Sequence, residues 1–416
     1  MTLRLIDLDT PRPNNHRGDP TRTANAITNE NMQEIGQRLN SLEDGGPAVG
    51  QRLDALEQEQ QQLGDVQQQL GQAQAATDEL LATSTEAIGV ELSRTASRIV
   101  RRSRLINGNF DIAQERVSGT VTAAAPYTAD QWQVSSSAPG VTCNWGIGAP
   151  AVGEIKGATR FLGYNVVAGA GSAWMGQRIE GVQTLANGKA TVSFWMRSNI
   201  AGKKVGLTLQ QVFGSGGSGT VQTDGDVVTL TTKFAKYTYT FDVPSIAGKI
   251  YGANHNLFLL FFLCDGNYFD GQLANQSGLF ELAQVKLEDG DTATPYDFRD
   301  VQEELQDCEW FWRKSYDIGV SPGAISAFGR CGEFISVTRT GASAHLEKFP
   351  TRMRTTPAVV IYASESGAVN QVSQHDGTNT AVNSLAAVGE TGFQVSYTNA
   401  AGKYGASFHY TANARL

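Results

Sequence analysis

Leu42, Val49, Leu56, Leu63 and Leu70 stand seven residues apart, on one side of a segment whose composition alone argues for disorder. The stretch "EQEQQQLGDVQQQLGQAQAA" (57–76) is dominated by glutamine and has no aromatic residue, so it offers little apolar surface to offset the entropy of ordering. Spacing decides the other way, because Leu39 and Leu53 sit three before Leu42 and Leu56, as the two core positions of a heptad require. The second core position then holds Gln60, Gln67 and Gln74, polar layers that cost stability and set register. Leu81, Ile88, Leu92 and Ile99 continue the seam with one phase shift. Gly64, Gly71 and Gly89 each weaken such a helix by about 1 kcal/mol relative to alanine, and one leucine stripe has nothing of its own to bury against. The expectation is a parallel homo-oligomeric coiled-coil stalk, a rod about 75 Å long over 49–99 at 1.5 Å per residue. Gly45, Gly46 and Pro47 separate it from a short helical segment before them.

The other bounds are exclusions. A net charge of −8 in 416 residues, with no basic block beyond "SRIVRRSR" (97–104), predicts no nucleic-acid partner. The N-terminal twenty residues lack the apolar core of a signal peptide. The longest apolar run, "LFLLFFLC" (257–264), is too short to span a bilayer and reads as a buried strand, so no membrane insertion is expected. Cys143, Cys264, Cys308 and Cys331 are far apart, without zinc-site pairing, and read as reduced thiols of a protein made in a cytoplasm; no metal and no cofactor are expected.

After residue 104 the helical period gives way to the two-residue period of strands. "KATVSFWMRS" (189–198) alternates Val192, Phe194 and Met196 with Thr191, Ser193, Trp195 and Arg197. "KFAKYTYTFDVP" (233–244) sets Tyr237, Tyr239, Phe241 and Val243 apart from Phe234, Lys236, Thr238 and Thr240, and "GLFELAQVKLEDG" (278–290) puts Ala283, Val285 and Leu287 on one face. "VQEELQDCEWFWRKSY" (301–316) carries Val301, Leu305, Cys308 and Trp312 on one helical stripe. Alternation then returns in "TPAVVIYAS" (356–364), "GFQVSYT" (392–398) and "YGASFHYTANARL" (404–416). The fold class is therefore mainly β with an N-terminal helical coiled-coil stalk and two antiparallel β-sandwich domains. Five parts follow: an N-terminal segment 1–38, the stalk 39–103, a first sandwich 104–298, a linking helix 299–316 and a C-terminal β domain 317–416.

"LINGNFDIAQERVSGTVTAAAPYTADQW" (105–132), "MGQRIEGVQTLANGKATVSFWMRS" (175–198), "KYTYTFDVPSIAGKIYGANHN" (236–256) and "LFELAQVKLEDGDTATPYDFRDVQEELQDCEWFW" (279–312) together resemble a domain of bacteriophage tail fibre proteins. Their order is also similar to jelly-roll carbohydrate-binding modules. "FPTRMRTTPAVVIY", "TGFQVSY" and "FHYTANARL" resemble the terminal domain of similar fibres, and "RGDPTRTANAITNENMQEIGQRL" (17–39) the short attachment segments of phage structural proteins. Ala283 stands where such modules usually carry a calcium-holding aspartate, so calcium is not expected.

The resemblance implies a trimeric tail fibre or receptor-binding protein of a virion, assembled in the bacterial cytoplasm. Residues 1–38 would join other virion proteins, and the β domains would hold a bacterial surface glycan, lipopolysaccharide or capsule. Two other classes stay open: a purely structural fibre of head, collar or baseplate, and a polysaccharide depolymerase. The latter needs paired carboxylates or an activated nucleophile, and only the turn-like acidic stretches at Asp224 and Asp226, or Glu288, Asp289 and Asp291, are dense enough; no catalytic residue is assigned. Sugar rings stack on exposed aromatics, which makes Trp145, Tyr164, Trp174, Trp195 and Tyr268 the candidates. The alternative for each is a place in the core or the trimer interface. Trp132, Trp310 and Trp312 are assigned to packing, and the cell-specific reader is expected in the terminal domain, whose rings include Phe393, Tyr397, Tyr404 and Tyr410.

Overall fold

Glutamine, alanine and leucine are good helix formers, and they build one helix of 50 residues, Val49–Arg98 (α2). The computed structural model describes residues 28–37, 49–98, 101–334 and 340–416; its units are Met1–Arg98 and Ile99–Leu416. In the first unit a short helix, 28–37 (α1), precedes α2. Leu56 and Leu63 are buried in a cluster with Ile35 of α1, and Leu70 is buried too. Part of the predicted seam is thus covered within one chain. Val49 opens α2, and Leu42 lies outside the described residues. The companion stripe, Leu53, Gln60, Gln67, Gln74, Leu81 and Ile88, is exposed in the single chain. A cross-chain seam is not part of this structure.

In the second unit, strands β1 (Ser118–Val121), β2 (Trp132–Ser136), β3 (Cys143–Gly148), β4 (Phe161–Val166), β5 (Ala173–Glu180) and β6 (Gly188–Ser198) come first. β7 (Lys204–Val212), β8 (Val221–Thr229), β9 (Ala235–Val243), β10 (Asn256–Cys264) and β11 (Gly278–Asp289) follow. They pair antiparallel into a six-stranded sheet, β1-β3-β4-β11-β6-β9, and a five-stranded sheet, β2-β5-β10-β7-β8, which enclose one apolar core in a jelly-roll-like sandwich. Val192, Phe194 and Met196 enter that core as the alternation predicts, and so does Phe241.

One predicted face is corrected. Along β11, Phe280 and Leu282 and then Val285 and Leu287 reach the core, whereas Ala283 lies on the other face with Ile155 and Phe234. A β-bulge is the cause: pairing with β6 skips from Ala283 to Lys286, and Gln284 sits at φ 43°. The Gln284 amide donates to the Lys156 carbonyl at 2.7 Å and holds the bulge in place.

The linking helix is shorter than expected. Asp300 caps α3 (Val301–Glu309) by accepting from the Gln302 amide at 2.8 Å. Beyond it Trp312–Lys314 is a strand, β12, so Trp312 leaves the helical stripe and Val301 is exposed. The aromatic run 310–312 suits a sheet, and β19 offers a partner. The remaining strands are β13 (Cys331–Phe334), β14 (Gly341–Lys348), β15 (Ala358–Ala363), β16 (Gln371–Gln374), β17 (Asn379–Gly389), β18 (Gly392–Asn399) and β19 (Gly405–Asn413). They join β12 in a single eight-stranded antiparallel sheet instead of two separate ones. β19 pairs with β12, β13, β15 and β16, which makes it the axis of the domain. The sheet buries its own core of Phe393, Val395, Phe408 and Tyr410 among others.

The two β domains share polar and aromatic contacts. Buried Lys314 donates to the carbonyls of Gln114, Ile318 and Val320, and burial pulls its amine down to about 8. The Arg415 guanidinium stacks on Tyr127 and Trp312 and pairs with Glu115 at 2.8 Å. Three cysteines are buried, Cys331 is half-buried, and all four are free thiols. Among the described residues no helix is long and apolar enough to cross a membrane.

Candidate functional site

Directly opposed residues of antiparallel strands share a face, so the register of the five-stranded sheet identifies its outward side chains. One row runs Ser135, Trp174, Phe262 and Gly206, and the next Gln133, Gly176, Leu260, Thr208 and Asp224. A third holds Arg178, Phe258, Gln210 and Gln222, and a fourth begins with Glu180 and Asn256. β10 therefore carries apolar side chains on both sides. Leu257, Leu259 and Phe261 fill the sandwich, while Phe258, Leu260 and Phe262 form a second cluster outside it with Leu273, packed against Trp174 and Phe269.

Aromatic groups cap that outer cluster. Trp174 is half-buried and meets Phe258 edge-on at 5.3 Å between centroids, and the Arg178 guanidinium lies over the same ring, 3.9 Å from its centre. Tyr268, 37% exposed, lies 5.2 Å from Phe262. Its loop is held by Asp265, whose carboxylate accepts from the amides of Asn267 and Tyr268 at 2.7 and 3.3 Å. Phe269 and Asp270 follow in the left-handed region, at φ 55° and 52°, a conformation that costs a bulky residue about 1–2 kcal/mol. The Phe269 ring lies against Gly206, where a Cβ would come within 2.4 Å of it. A glycine opposite Phe262 is what admits the loop.

Beside the rings runs a polar relay. The Gln210 amide donates to Gln222 at 2.8 Å, the Gln222 amide donates to Asp224 at 2.8 Å, and the Thr208 hydroxyl donates to the same Asp224 oxygen at 2.7 Å. Apolar ring surface next to amides and a carboxylate matches a sugar, which has C–H faces and hydroxyl edges. Burial draws Arg178 below its ordinary range, with Tyr127 acting in the opposite sense, and raises Tyr127 in turn.

Of the five predicted rings, Trp174 and Tyr268 both pack on this outer cluster, Trp174 against Phe258 and Tyr268 against Phe262. Trp145 and Tyr164 face each other across β3 and β4 but point inward, 4% and 0% exposed. The Tyr164 hydroxyl is committed to the Ser135 carbonyl at 2.7 Å. Neither ring presents a face to solvent. Trp195 is on the outer side of the other sheet, packed against a cluster of Ile155, Phe234 and Ala283. Beside it Arg197 stacks over Phe234 at 4.3 Å and pairs with Glu154 and Glu281; the segment carrying Glu154 and Ile155 covers this face. Among the acidic residues, Glu288 is buried against Lys286 and accepts from the amide and hydroxyl of Thr294, and Asp224 belongs to the relay. Phe258, Phe262 and Arg178 were not predicted. The signal for the two phenylalanines is an apolar run too long for one-sided burial in "LFLLFFLC", and that for Arg178 is its phase with Trp174 along 173–180.

Residues 105–251 match the family described as carbohydrate binding domain, which supports carbohydrate binding by the sandwich. No curated protein sequence matches the chain. Among solved structures, it is similar to the enzymatically active domain of tailspike protein 4 of bacteriophage CBA120, at 12% identity and a TM-score of 0.26, over 38% of this chain and 19% of that one. A family 11 carbohydrate-binding module from Clostridium thermocellum, in complex with a mixed-linked tetrasaccharide, is similar at 12% identity and a TM-score of 0.27, over 42% of this chain and 98% of that one. The N-terminal cellulose-binding domain of a Cellulomonas fimi glucanase is similar at 15% identity and a TM-score of 0.24, over 36% and 90%.

Proposed function

We propose that this chain is a non-enzymatic phage tail fibre protein that attaches a virion to a bacterial surface glycan through the outer face of the five-stranded sheet. The observation that carries the binding is the outer cluster of Phe258, Leu260 and Phe262, with Trp174 against Phe258 and Tyr268 against Phe262, beside the Thr208–Asp224 relay; Trp174 and the relay lie in the segment 105–251 that matches a carbohydrate binding domain. The fibre reading is supported by the order of parts: an N-terminal segment to join other virion proteins, the long α2 and the β domains after it. The exposed stripe from Leu53 to Ile88 is where copies of α2 would meet in a homotrimer. Three weak sites on one rod then convert modest affinity into avidity on a repeating glycan. Catalysis is left out because Glu288 is sealed in the fold and Asp224 is held by its neighbours.

Adsorption of phage to susceptible cells in the presence of the purified full chain tests this. The chain should compete, and a Trp174→Ala chain should not. If the unmodified chain fails to bind cells yet is present in virions, it is a structural fibre; if it releases reducing ends from capsule or lipopolysaccharide, it is a depolymerase.

A further inference from the structure

The outer face of the five-stranded sheet does not end at the sandwich. Along β5 the outward residues run Trp174, Gly176, Arg178 and Glu180, about 20 Å from first to last at 3.4 Å per residue. At the Glu180 end the linking segment and the terminal domain meet the sandwich. The Trp310 indole N–H donates to the Glu180 carboxylate at 3.1 Å, and Arg354 approaches the same carboxylate at 3.9 Å while donating to Asn254 at 3.0 Å. The side edge is bordered as well. Tyr127 bridges to Gln133, so it shares this face, and its hydroxyl donates to the Leu416 carbonyl at 3.0 Å under the Arg415 guanidinium.

We propose that the glycan-binding surface is composite, with the segment that links the sandwich to the terminal domain supplying a second stacking ring, Trp310, at the end of the strip opposite Trp174. The inference rests on the sugar-binding reading above. Trp310 is only half-buried and is fixed by its own N–H, which leaves ring surface available at a set position. Between the two indoles the Arg178 guanidinium lies over Phe258 and donates one N–H to Asn256 at 3.2 Å, a floor that offers its remaining donors over an apolar base. The ligand class this suits is a short run of a neutral, hydroxyl-rich oligosaccharide, stacked at both ends and hydrogen-bonded between them. Arg354 and Glu180 are positioning residues: they hold the Trp310 indole and so fix the spacing of the two rings.

The test uses the full chain labelled with 5-fluorotryptophan, with the Trp174 and Trp310 fluorine signals assigned from Trp174→Phe and Trp310→Phe chains. Xylohexaose, cellohexaose and lipopolysaccharide O-chain fragments are titrated in. With at least one probe both signals should shift together, and Trp310→Ala should weaken that probe by about tenfold, as loss of an anchoring ring does, at an unchanged unfolding temperature. A shift of Trp174 with Trp310 silent overturns the composite surface and leaves the sugar site standing. No shift of Trp174 with any probe overturns the sugar-binding reading, and this inference with it.

Discussion

Gly206 shows how one missing methyl group shapes the candidate site. It sits opposite Phe262, and the Phe269 ring occupies the space its side chain would take. Gly206→Ala should push the 265–273 loop off the sheet, at a cost of about 1–3 kcal/mol for the overpacking, and Tyr268 should lose protection from chemical iodination or fluorescence quenching. Unchanged stability and unchanged Tyr268 accessibility would mean the loop is not anchored there. Residue phase also explains which rings were legible. In "CNWGIG" and "FLGYNV", Trp145 is in phase with Cys143 and Ile147, and Tyr164 with Leu162 and Val166, an apolar set that belongs inside. In "AWMGQRIE", Trp174 is in phase with Arg178 and Glu180, which belong outside. The aromatic residues were readable as types; their side of the sheet required the phase of their own strand. Tyr268 had no such signal, because its loop is set by Asp265 and by a glycine sixty residues away.

At the scale of elements, periodicity was sufficient wherever a strand stayed regular. β6, β9 and β10 fall where alternation or apolar length places them. β11 defeated it, because a bulge shifts the phase by one residue and no glycine marks the place: Gln284 itself takes the left-handed conformation. α2 was legible as a helix through its heptads, but not α1 as a partner for Leu56 and Leu63, since a short polar helix carries only Ile35 to the contact. Cβ atoms added at Gly64 and Gly71 meet nothing within 4 Å in the single chain. Gly64→Ala and Gly71→Ala should therefore each stabilise α2 by about 1 kcal/mol in thermal melts followed by circular dichroism. A loss of stability would place a neighbouring helix against these positions.

β19 carries a pH dependence. The His409 ring is buried, stacked on Tyr316 at 3.8 Å; its Nε2–H donates to the Ser326 carbonyl at 3.0 Å and its Nδ1 accepts from the Ser315 hydroxyl at 2.9 Å. Desolvation lowers its affinity for a proton below the ordinary value of 6.5, and Arg330 adds to this. Folding thus favours the neutral ring. Its contribution to stability is fully present above pH 6.5 and is lost as pH falls from there through the lowered folded value. Urea unfolding at pH 7.5 and 5 should show the native state weaker at pH 5, and His409→Gln should flatten that difference. An equal pH response in the variant would assign it to other groups.

For the whole molecule, the two β domains keep separate sheets and separate cores and are joined by side-chain contacts. They cluster as one unit in the second part of the chain, joined through Lys314, Arg415 and the Tyr127–Leu416 hydrogen bond. None of this was visible beforehand, because the joining groups are single basic side chains with partners some 200–300 residues away. In the proposed composite surface, both domains border the sugar-binding face. The proposed site holds sugar on the outer face of the five-stranded sheet and not on the opposite sheet, where Trp195 lies beside the Arg197 ion pairs. Isothermal titration of purified surface polysaccharide into the full chain, Trp174→Ala and Trp195→Ala decides between the two faces. Trp174→Ala should lose binding by tenfold or more, the size of about 1.4 kcal/mol, while Trp195→Ala binds as the unmodified chain does. Binding retained by Trp174→Ala and lost by Trp195→Ala would contradict it.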